Sequence, residues 1–390
     1  PTPTPTPRPT PTLPAVELSV WENLPEAQAR RLAQEIALFQ QEYPGYRIRQ
    51  NHYTNPEDFM TPLMAGQTTF DLVLASPVLL GSLWKTGQLA PMSDYFGPEF
   101  LNRFVSVTVQ GARRDGELWG LPDTAGFHLL LFYNKTLVDT PPATTAELAE
   151  LARDLTDPRA SPPRWGLALN SYDPLWVVPW LTPYGGWLVD PQGRPTLDTP
   201  AMQSALALFL GWHGIPNEAE AIAPVQTYEA ARTAFVQGRS AMLIDGEWAI
   251  WELAAVSGLE WGVAPLPRLS LPDEEKPAAP LVLARYWAVN RETTGNQALA
   301  AAAFLEFITR PERQLNQTEQ FGLLPTRREA LTAPLITGNP VLRVNAMQMQ
   351  SGRAALLGVN VDGLLNQMRG PLRRALDGEL SAEAAIRAME

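Results

Sequence analysis

The chain has 390 residues, of which 45% are hydrophobic and 18% are charged. At roughly 150 residues per domain this length predicts two to three folded units, and the hydrophobic fraction excludes a chain that is disordered throughout. Asp and Glu number 41 against 30 Lys and Arg, so the net charge of −11 disfavours binding to nucleic acid or to an anionic membrane.

Cysteine is absent, and the chain has only three histidines, His52, His128 and His213. The lack of Cys excludes disulfides, thiolate metal ligands and cysteine nucleophiles. Three histidines far apart in sequence disfavour a His-based metal centre. We therefore expect no cofactor and no metal.

Seven prolines fall within residues 1–14, which read PTPTPTPRPTPTLP. Proline fixes φ and lacks an N–H donor, so this stretch favours extended polyproline II and predicts a disordered, semi-rigid tether. Such a spacer suits an extracytoplasmic protein, in the periplasm or at the cell surface, that is lipid-anchored through a removed N-terminal segment. The alternative is a tail without function.

The first third of the body alternates strand-like and helix-like segments. Val16–Trp21, Tyr46–Tyr53 and Phe70–Ala75 are typical of strands, and the last is nearly all apolar, as in buried parallel strands. Apolar residues at helical spacing follow the first strand, and Val78–Lys85 predicts another helix. This alternation indicates an α/β fold.

The same alternation starts again later in the chain. Leu129–Tyr133 predicts a strand, and Thr144–Leu155 predicts a helix that begins with a capping box at Thr144–Glu147. Further strands are predicted at Ser240–Ile244 and Leu281–Asn290. Two α/β lobes fit this pattern best.

Catalytic signatures are missing from the sequence. There is no phosphate-binding GxxxxGK[ST] loop, no GxSxG elbow and no HExxH zinc motif. An enzyme acting on glycans stays open as the less favoured hypothesis, because its two carboxylates can lie far apart in sequence.

Aromatic and acidic residues follow several predicted strands. These strand ends are Trp21–Asn23, Ala75–Pro77, Asn170–Trp176 and Asp245–Trp248. Ligands of open α/β sheets bind beyond the carboxyl ends of strands. An aromatic face beside a carboxylate suits a sugar, because stacking over about 80 Å² contributes on the order of 2 kcal/mol.

At these positions the chain resembles the family 1 extracellular solute-binding proteins of ABC importers, which include maltose-binding protein. The matching stretches occur in the family's order and cover nearly the whole body. They are Phe70–Leu74 (FDLVL), Gly116–Pro122 (GELWGLP), Leu131–Lys135 (LFYNK), Pro142–Leu148 (PATTAEL), Phe235–Trp248 (FVQGRSAMLIDGEW), Gly262–Pro267 (GVAPLP), Trp287–Asn290 (WAVN) and Gly322–Pro325 (GLLP).

The resemblance implies two α/β lobes joined by a multi-segment hinge, with the ligand cleft between them, as in type II periplasmic binding proteins. The hinge segments would be Thr124–Phe127, Gly262–Pro267 and Thr309–Glu312. The implied division is a tether at 1–14, a first lobe at 15–125 plus 263–310, and a second lobe at 126–262 plus 311–390.

The function implied by the resemblance is capture of a saccharide, closure of the hinge and delivery to the transmembrane subunits of an ABC permease, without catalysis. The protein would be a monomer that binds no nucleic acid and reaches the membrane only through its lipid anchor. A different solute, such as a glycerophosphodiester, a polyamine or an oligopeptide, stays open.

The candidate ligand-binding residues are the aromatic and polar side chains at the predicted strand ends and at positions that match the family's cleft. Phe127 falls where maltose-binding protein has a carboxylate, and for Trp176, Trp187 and Trp287 burial in a core is the competing interpretation. The candidates are Trp21, Glu22, Asn23, Ser76, Phe127, Asp173, Trp176, Tyr184, Trp187, Asp245, Glu247, Trp248, Arg285, Tyr286 and Trp287.

Overall fold

A computed structural model describes residues 15–65, 67–213 and 227–389. The tether predicted at 1–14 lies outside these residues. No helix in the described part of the chain is long and apolar enough to cross a membrane.

The strands alternate with helices along the chain, as the sequence predicts. In chain order the strands are β1 (Val16–Glu22), β2 (Tyr46–His52), β3 (Leu72–Ala75), β4 (Arg113–Arg114), β5 (Glu117–Leu118), β6 (Leu121–Gly126), β7 (Leu129–Asn134), β8 (Trp165–Leu169), β9 (Ser240–Gly246), β10 (Trp261–Ala264), β11 (Leu269–Ser270), β12 (Glu275–Lys276), β13 (Leu281–Val289), β14 (Leu324–Pro325) and β15 (Arg353–Ala354).

The helices differ in length from one turn to more than four. They are α1 (Glu26–Glu42), α2 (Pro56–Met64), α3 (Pro77–Lys85), α4 (Pro98–Leu101), α5 (Ser106–Gln110), α6 (Thr145–Leu155), α7 (Pro200–Trp212), α8 (Tyr228–Val236), α9 (Ala249–Ala254), α10 (Gly295–Ile308), α11 (Pro311–Phe321), α12 (Arg328–Leu331), α13 (Pro334–Thr337), α14 (Pro340–Ser351), α15 (Val361–Leu376) and α16 (Ala382–Arg387).

The first lobe is built on a seven-stranded sheet with the order β14-β6-β13-β3-β1-β2, and β15 pairs beside β13. β1 is parallel to β2 and β3, whereas β13 runs antiparallel to β3 and β6. Helix α1 packs on this sheet through a buried stripe at helical spacing, Leu32, Ile36 and Phe39. The carboxyl ends of β1 and β3 therefore lie at the same edge of the sheet.

The second lobe is built on a four-stranded sheet with the order β10-β7-β9-β8. Alternate residues of β7 enter different cores: Leu129 and Leu131 pack on one face, and Leu130 and Phe132 on the other. A strand that is buried on both faces reads as a continuous apolar run, which explains the sequence LLLF. Helices cover both faces of this sheet.

Two predicted crossings between the lobes coincide with changes of sheet. The chain leaves the first sheet after β6 and enters the second at β7, and it leaves β10 to return at β13. The third predicted crossing, Thr309–Glu312, is wrong. This segment joins α10 to α11, and α11 still packs on the first sheet, because its buried Gln314 donates to the carbonyl of Asp123 in β6 at 2.8 Å. Residues 355–360 join β15 of the first sheet to α15 of the second core.

The packing of the C-terminal part differs from the predicted second-lobe segment 311–390. Seven buried side chains of this part lie in the first core, whereas those from Leu364 to Met389 lie in the second; the seven are Leu324, Leu331, Ile336, Ala346, Met349, Ala354 and Leu357. The pairing of β14 with β6 holds the earlier part to the first sheet. Helix α14 also reaches the second lobe, where the carbonyl of Asn345 lies 3.2 Å from Nε2 of His128.

Candidate binding cleft

One wall of the cleft is formed where β1 and β3 of the first lobe end. Trp21, Glu22, Asn23 and Ser76 line a small pocket there, of about 350 Å³, which we call the first-lobe pocket. Trp21 is buried and stacks on Tyr53 with ring centroids 4.5 Å apart. Asn23 is exposed at the rim. The structure therefore brings these four predicted residues together, and Asn23 and Ser76 are the exposed ones.

Glu22 holds this strand end in place. Its buried carboxylate accepts hydrogen bonds from the Leu24 amide at 2.7 Å and from Gln50 Nε2 at 2.7 Å, and Nδ1 of His52 lies 3.0 Å away. A carboxylate that is occupied in this way has little capacity left for a ligand. Ser76 likewise has a local role, since its hydroxyl accepts from the Leu79 amide and caps α3.

The second-lobe wall begins at the crossing between β6 and β7. Phe127 has a positive φ of 63°, a conformation that is strained for a residue with a side chain. Its amide donates to Oε1 of Glu247 at 3.0 Å, and its ring lies 5.4 Å from that of Trp248. Phe127, Glu247 and Trp248 thus form one cluster at the edge of the second sheet, with an aromatic face beside a carboxylate.

Two glycines make room for this cluster. A Cβ at Gly126 would lie 2.4 Å from Oε1 of Glu247, and a Cβ at Gly246 would lie 2.2 Å from the Trp248 ring. Any side chain at either position would displace Glu247 or Trp248. Burial raises the pKa of Glu247, and the hydrogen bond from the Phe127 amide opposes this effect. The carboxylate has lost part of its hydration, so a polar group of a ligand could take the place of the missing water.

The indole of Trp248 is fixed from behind by α8. Its Nε1 donates to the Tyr228 hydroxyl at 2.7 Å, and the guanidinium of Arg232 lies over the Tyr228 ring at 4.7 Å. Arg232 Nε is 3.4 Å from Oδ2 of Asp245, which is buried. Burial raises the pKa of Asp245 to about 7 despite this partner. Asp245 is therefore linked to Trp248 indirectly, through Arg232 and Tyr228.

Both lobes line a further cavity, which we call the interlobe cavity. Val78 comes from the first lobe and Phe127 from the crossing, while Val361 and Asp362 begin α15 of the second lobe. Val78 is 65% exposed, which is unusual for a large apolar side chain and places it where a ligand could cover it. This wall is mainly apolar.

Several candidate residues are buried in the cores, and these placements correct the prediction. Trp287 is buried, donates through Nε1 to Asp123 at 3.1 Å and packs edge-on against Phe304. Trp176 is buried and donates to the carbonyl of Ile244 at 2.7 Å. Trp287 thus belongs to the first core and Trp176 to the second, and burial leaves neither ring free to stack on a ligand.

The remaining candidates also lie apart from the Trp248 cluster. Arg285 contacts Asp123, Thr124 and Gln28 within the first lobe. Tyr286 is buried, donates to the Thr108 carbonyl at 3.0 Å and contributes only to the lining of the interlobe cavity.

Asp173, Tyr184 and Trp187 belong to the second lobe but not to its aromatic cluster. Asp173 caps a short turn and pairs with Arg369 at 3.3 Å. Tyr184 is half-buried in the second core, and burial raises its pKa. Trp187 is buried beneath the guanidinium of Arg353, 4.7 Å from its ring.

Sequence analysis missed Tyr228 and the residues at the start of α15. No sequence motif indicates a role for Tyr228, because its hydroxyl accepts a hydrogen bond from Trp248, a residue 20 positions away in the chain. The apolar side chains Leu356, Val361 and their neighbours resemble ordinary core residues in sequence.

Two α/β lobes with a cavity shared across their crossings define a binding protein that holds a ligand between its halves. The sequence profile of the bacterial extracellular solute-binding proteins matches residues 36–343. The chain therefore belongs to this family. It is a solute-binding protein and not an enzyme, as the resemblance implied.

Individual relatives agree with this assignment. The chain is 27% identical to a maltotriose-binding protein of Pyrococcus abyssi over 277 residues, which make up 70% of this chain and 58% of the relative. The match thus spans little more than half of that protein's length.

Two solved structures have the same fold over nearly the whole chain. One is the maltose/maltodextrin-binding domain MalE from Bdellovibrio bacteriovorus bound to maltotriose, with a TM-score of 0.70, 25% identity and coverage of 96% of this chain and 97% of that one. The other is a cyclo/maltodextrin-binding protein complexed with maltotetraose, with a TM-score of 0.83, 22% identity and 97% coverage of both chains. These structures confirm the predicted α/β fold.

Proposed function

We propose that this protein captures a saccharide between its lobes and delivers it to the permease of an ABC importer. The observation that carries the proposal is the cluster of Phe127, Glu247 and Trp248 at the edge of the second sheet. An aromatic face attracts the C–H face of a sugar ring, and a desolvated carboxylate accepts strong hydrogen bonds from hydroxyl groups. Both groups lie at one end of β9.

A malto-oligosaccharide is the ligand class that we propose. The relative from Pyrococcus abyssi is named for maltotriose, and the domain from Bdellovibrio bacteriovorus was solved with the same sugar. The mainly apolar lining around Val78 and Val361 supports stacking and burial as the main source of affinity. A stacked ring that covers about 80 Å² would contribute on the order of 2 kcal/mol.

Hinge closure follows from the position of the cluster. Phe127 lies at the crossing between the sheets, and Val78 faces the same cavity from the first lobe. A ligand that contacts both lobes stabilises the closed arrangement, because only that arrangement completes its contacts. A division into two lobes with the last crossing at residues 355–360, a monomeric state, delivery to transmembrane subunits and a lipid anchor outside the described residues complete the proposal for this extracytoplasmic protein.

The test is a thermal-shift and calorimetric titration with maltotriose. We expect maltotriose to raise the melting temperature, and we expect Trp248→Ala to weaken binding by about 30-fold, which corresponds to the stacking contribution of about 2 kcal/mol. Trp165→Phe is the matched control, because Trp165 begins β8 beside Ser240, at the opposite end of the sheet from Gly246.

The same screen includes neutral disaccharides, glycerophosphodiesters, polyamines and short peptides. If one of these raises the melting temperature and no saccharide does, the saccharide proposal is wrong. If maltotriose binds equally well to Trp248→Ala and to the parent protein, the assignment of the cluster is wrong.

A further inference from the structure

A second open cavity between the lobes, of about 880 Å³, lies beside the interlobe cavity and shares Leu357 and Val359 with it. The first lobe contributes Trp84, Lys85 and Arg114, and the second lobe contributes the turn at Gln192–Gly193. We call this space the basic cavity. None of its polar side chains belongs to the candidate set described above.

Arg114 is held in a defined position within the basic cavity. Its guanidinium lies 5.4 Å from the Trp84 ring centroid, and its Nη2 donates to the Gln192 carbonyl of the opposite lobe at 3.1 Å. Gly193 keeps this approach open, because a Cβ there would lie 3.2 Å from Nη1 of Arg114. A guanidinium stacked on an aromatic ring keeps its remaining N–H groups free to bind an oxyanion.

Among the described residues, three of the four positive charges of this region lack carboxylate partners, and only Arg114 has one, the exposed Asp115 at 3.7 Å. In the part of the chain that the structure describes, no carboxylate oxygen lies within 4.0 Å of the charged groups of Lys85, Arg113 or Arg353. Arg113 and Arg353 line an adjoining cavity beside Trp187. Such a local surplus of cations is unexpected in a chain with a net charge of −11.

Nearby acids do not cancel these charges. Asp190 lines the adjoining cavity, but its carboxylate accepts from the Arg194 side chain at 2.6 Å and from the Gln192 amide at 2.9 Å. Asp115 lies 3.7 Å from Arg114 and is largely exposed, where solvent screens it.

We propose that the basic cavity binds an oxyanion, a phosphate or a carboxylate, carried by the saccharide that occupies the neighbouring interlobe cavity. This inference rests on the proposed saccharide function and deepens it to an acidic oligosaccharide. The sugar rings contact the Phe127 and Trp248 side, and the charged substituent reaches Lys85 and Arg114 past Leu357 and Val359. Charge-assisted hydrogen bonds to a cation are stronger than neutral ones, so the substituent adds selectivity.

The experiment compares four probes by calorimetry: maltotriose, its terminal 6-phosphate, the trisaccharide with a terminal uronate, and inorganic phosphate. We expect at least one acidic trisaccharide to bind about tenfold more tightly than maltotriose at low ionic strength, and we expect this advantage to shrink at about 0.5 M salt. The phosphate and uronate arms distinguish the two sources of the oxyanion.

Lys85→Met is expected to reduce the advantage of the acidic probe and to leave maltotriose binding unchanged. The double variant Lys85→Met with Arg114→Met is expected to remove the advantage, and its maltotriose affinity is measured separately because Arg114 also bonds to Gln192 of the opposite lobe. Lys135→Met is the matched control, because Lys135 is also exposed and changes the net charge equally, but it follows β7 outside the basic cavity. Loss of the advantage in Lys135→Met as well would contradict a local site.

The outcomes separate the two proposals. If maltotriose binds and the acidic probes gain nothing, the oxyanion proposal is wrong and the saccharide proposal stands. If no saccharide binds, the saccharide proposal is wrong, and the test with inorganic phosphate decides about the basic cavity. A melting temperature that phosphate raises in the parent protein but not in Lys85→Met supports the oxyanion site. The absence of any shift with phosphate overturns the oxyanion proposal.

Discussion

Nε1 of Trp248 donates a 2.7 Å hydrogen bond to the hydroxyl of Tyr228. The bond joins the turn between β9 and α9 to the first residue of α8, two segments that are separated by the whole of β9. Tyr228 is itself fixed by the guanidinium of Arg232 over its ring. The orientation of the proposed sugar platform therefore depends on a contact that α8 supplies.

Tyr228→Phe removes the acceptor for the Trp248 indole and keeps the ring. A neutral hydrogen bond of this kind contributes about 1 kcal/mol, so we expect maltotriose affinity to fall by about three- to tenfold through a less well-ordered Trp248. Intrinsic tryptophan fluorescence and calorimetry measure the two effects. A variant with parent-like affinity and an unchanged spectrum would show that the bond does not position the platform.

Gly246→Ala tests the close packing of Trp248 against the backbone. The new Cβ would lie 2.2 Å from atoms of the indole ring, so the ring must move away and the stacking surface is lost. We expect a larger loss of maltotriose affinity than in Tyr228→Phe, together with destabilisation of about 1–3 kcal/mol from overpacking.

Gly211→Ala is the control for the same chemical change. Gly211 lies in α7, where an added Cβ would have no atom within 4 Å. Alanine in a helix interior is more favourable than glycine by about 0.5–1 kcal/mol, so this variant should be more stable and should bind normally. Equal binding by the two variants would contradict the role of Gly246.

Local sequence patterns predicted the elements that build the two sheets. The run Leu129–Tyr133 is apolar because β7 is buried on both faces, and Thr144 caps α6 by accepting from the Glu147 amide at 3.2 Å. β6 was not recognised as a strand, since LPDTAG contains typical turn residues. It forms because β13 and β14 pair with it on either side, which a local pattern does not reveal.

The candidate site was less predictable because burial depends on tertiary contacts. Trp248 and Trp287 both follow or lie in strands, yet the first borders the cleft and the second packs against Phe304. On β13 successive side chains point to opposite faces of the sheet, and this alternation decides which of them are buried. The sequence alone does not say which face is covered by helices. Likewise Glu22 is an acid at a strand end, but Gln50 and His52 of β2 occupy it.

Asp123→Ala tests the buried polar network that holds Arg285 and Trp287 in the first lobe. The Asp123 carboxylate accepts from Trp287 at 3.1 Å and from Gln317 at 3.2 Å, and it lies 3.6 Å from Arg285. Truncation removes this acceptor from the Trp287 indole and the Gln317 amide and leaves Arg285 without its carboxylate partner, so we expect destabilisation of about 3–5 kcal/mol in chemical denaturation.

Asp139→Ala is the matched control for this variant, because Asp139 is exposed after β7. We expect its effect to stay within about 0.5 kcal/mol. A similar small effect in Asp123→Ala would show that the network does not stabilise the lobe. Maltotriose affinity should change little in either variant, because Asp123 lines neither the first-lobe pocket nor the interlobe cavity.

The pH dependence of stability should reveal two buried groups with opposite effects. Burial raises the pKa of Asp245 from 3.8 to about 7, so between these values the native state keeps a proton that the unfolded chain releases. The free energy of unfolding then falls as pH rises. Burial lowers the pKa of His128 from 6.5 to about 4, so the unfolded chain binds the extra proton and the free energy of unfolding rises with pH.

Asp245→Asn should therefore expose the contribution of His128. The variant loses the part of the falling component that Asp245 contributes, so we expect its free energy of unfolding to rise between about pH 4 and pH 6.5 relative to the parent protein. One proton accounts for at most about 1.4 kcal/mol per pH unit. Urea denaturation at several pH values from about 4.5 to 7.5 measures this difference. Parallel curves for the two proteins would mean that Asp245 is ionised in the native state throughout this range.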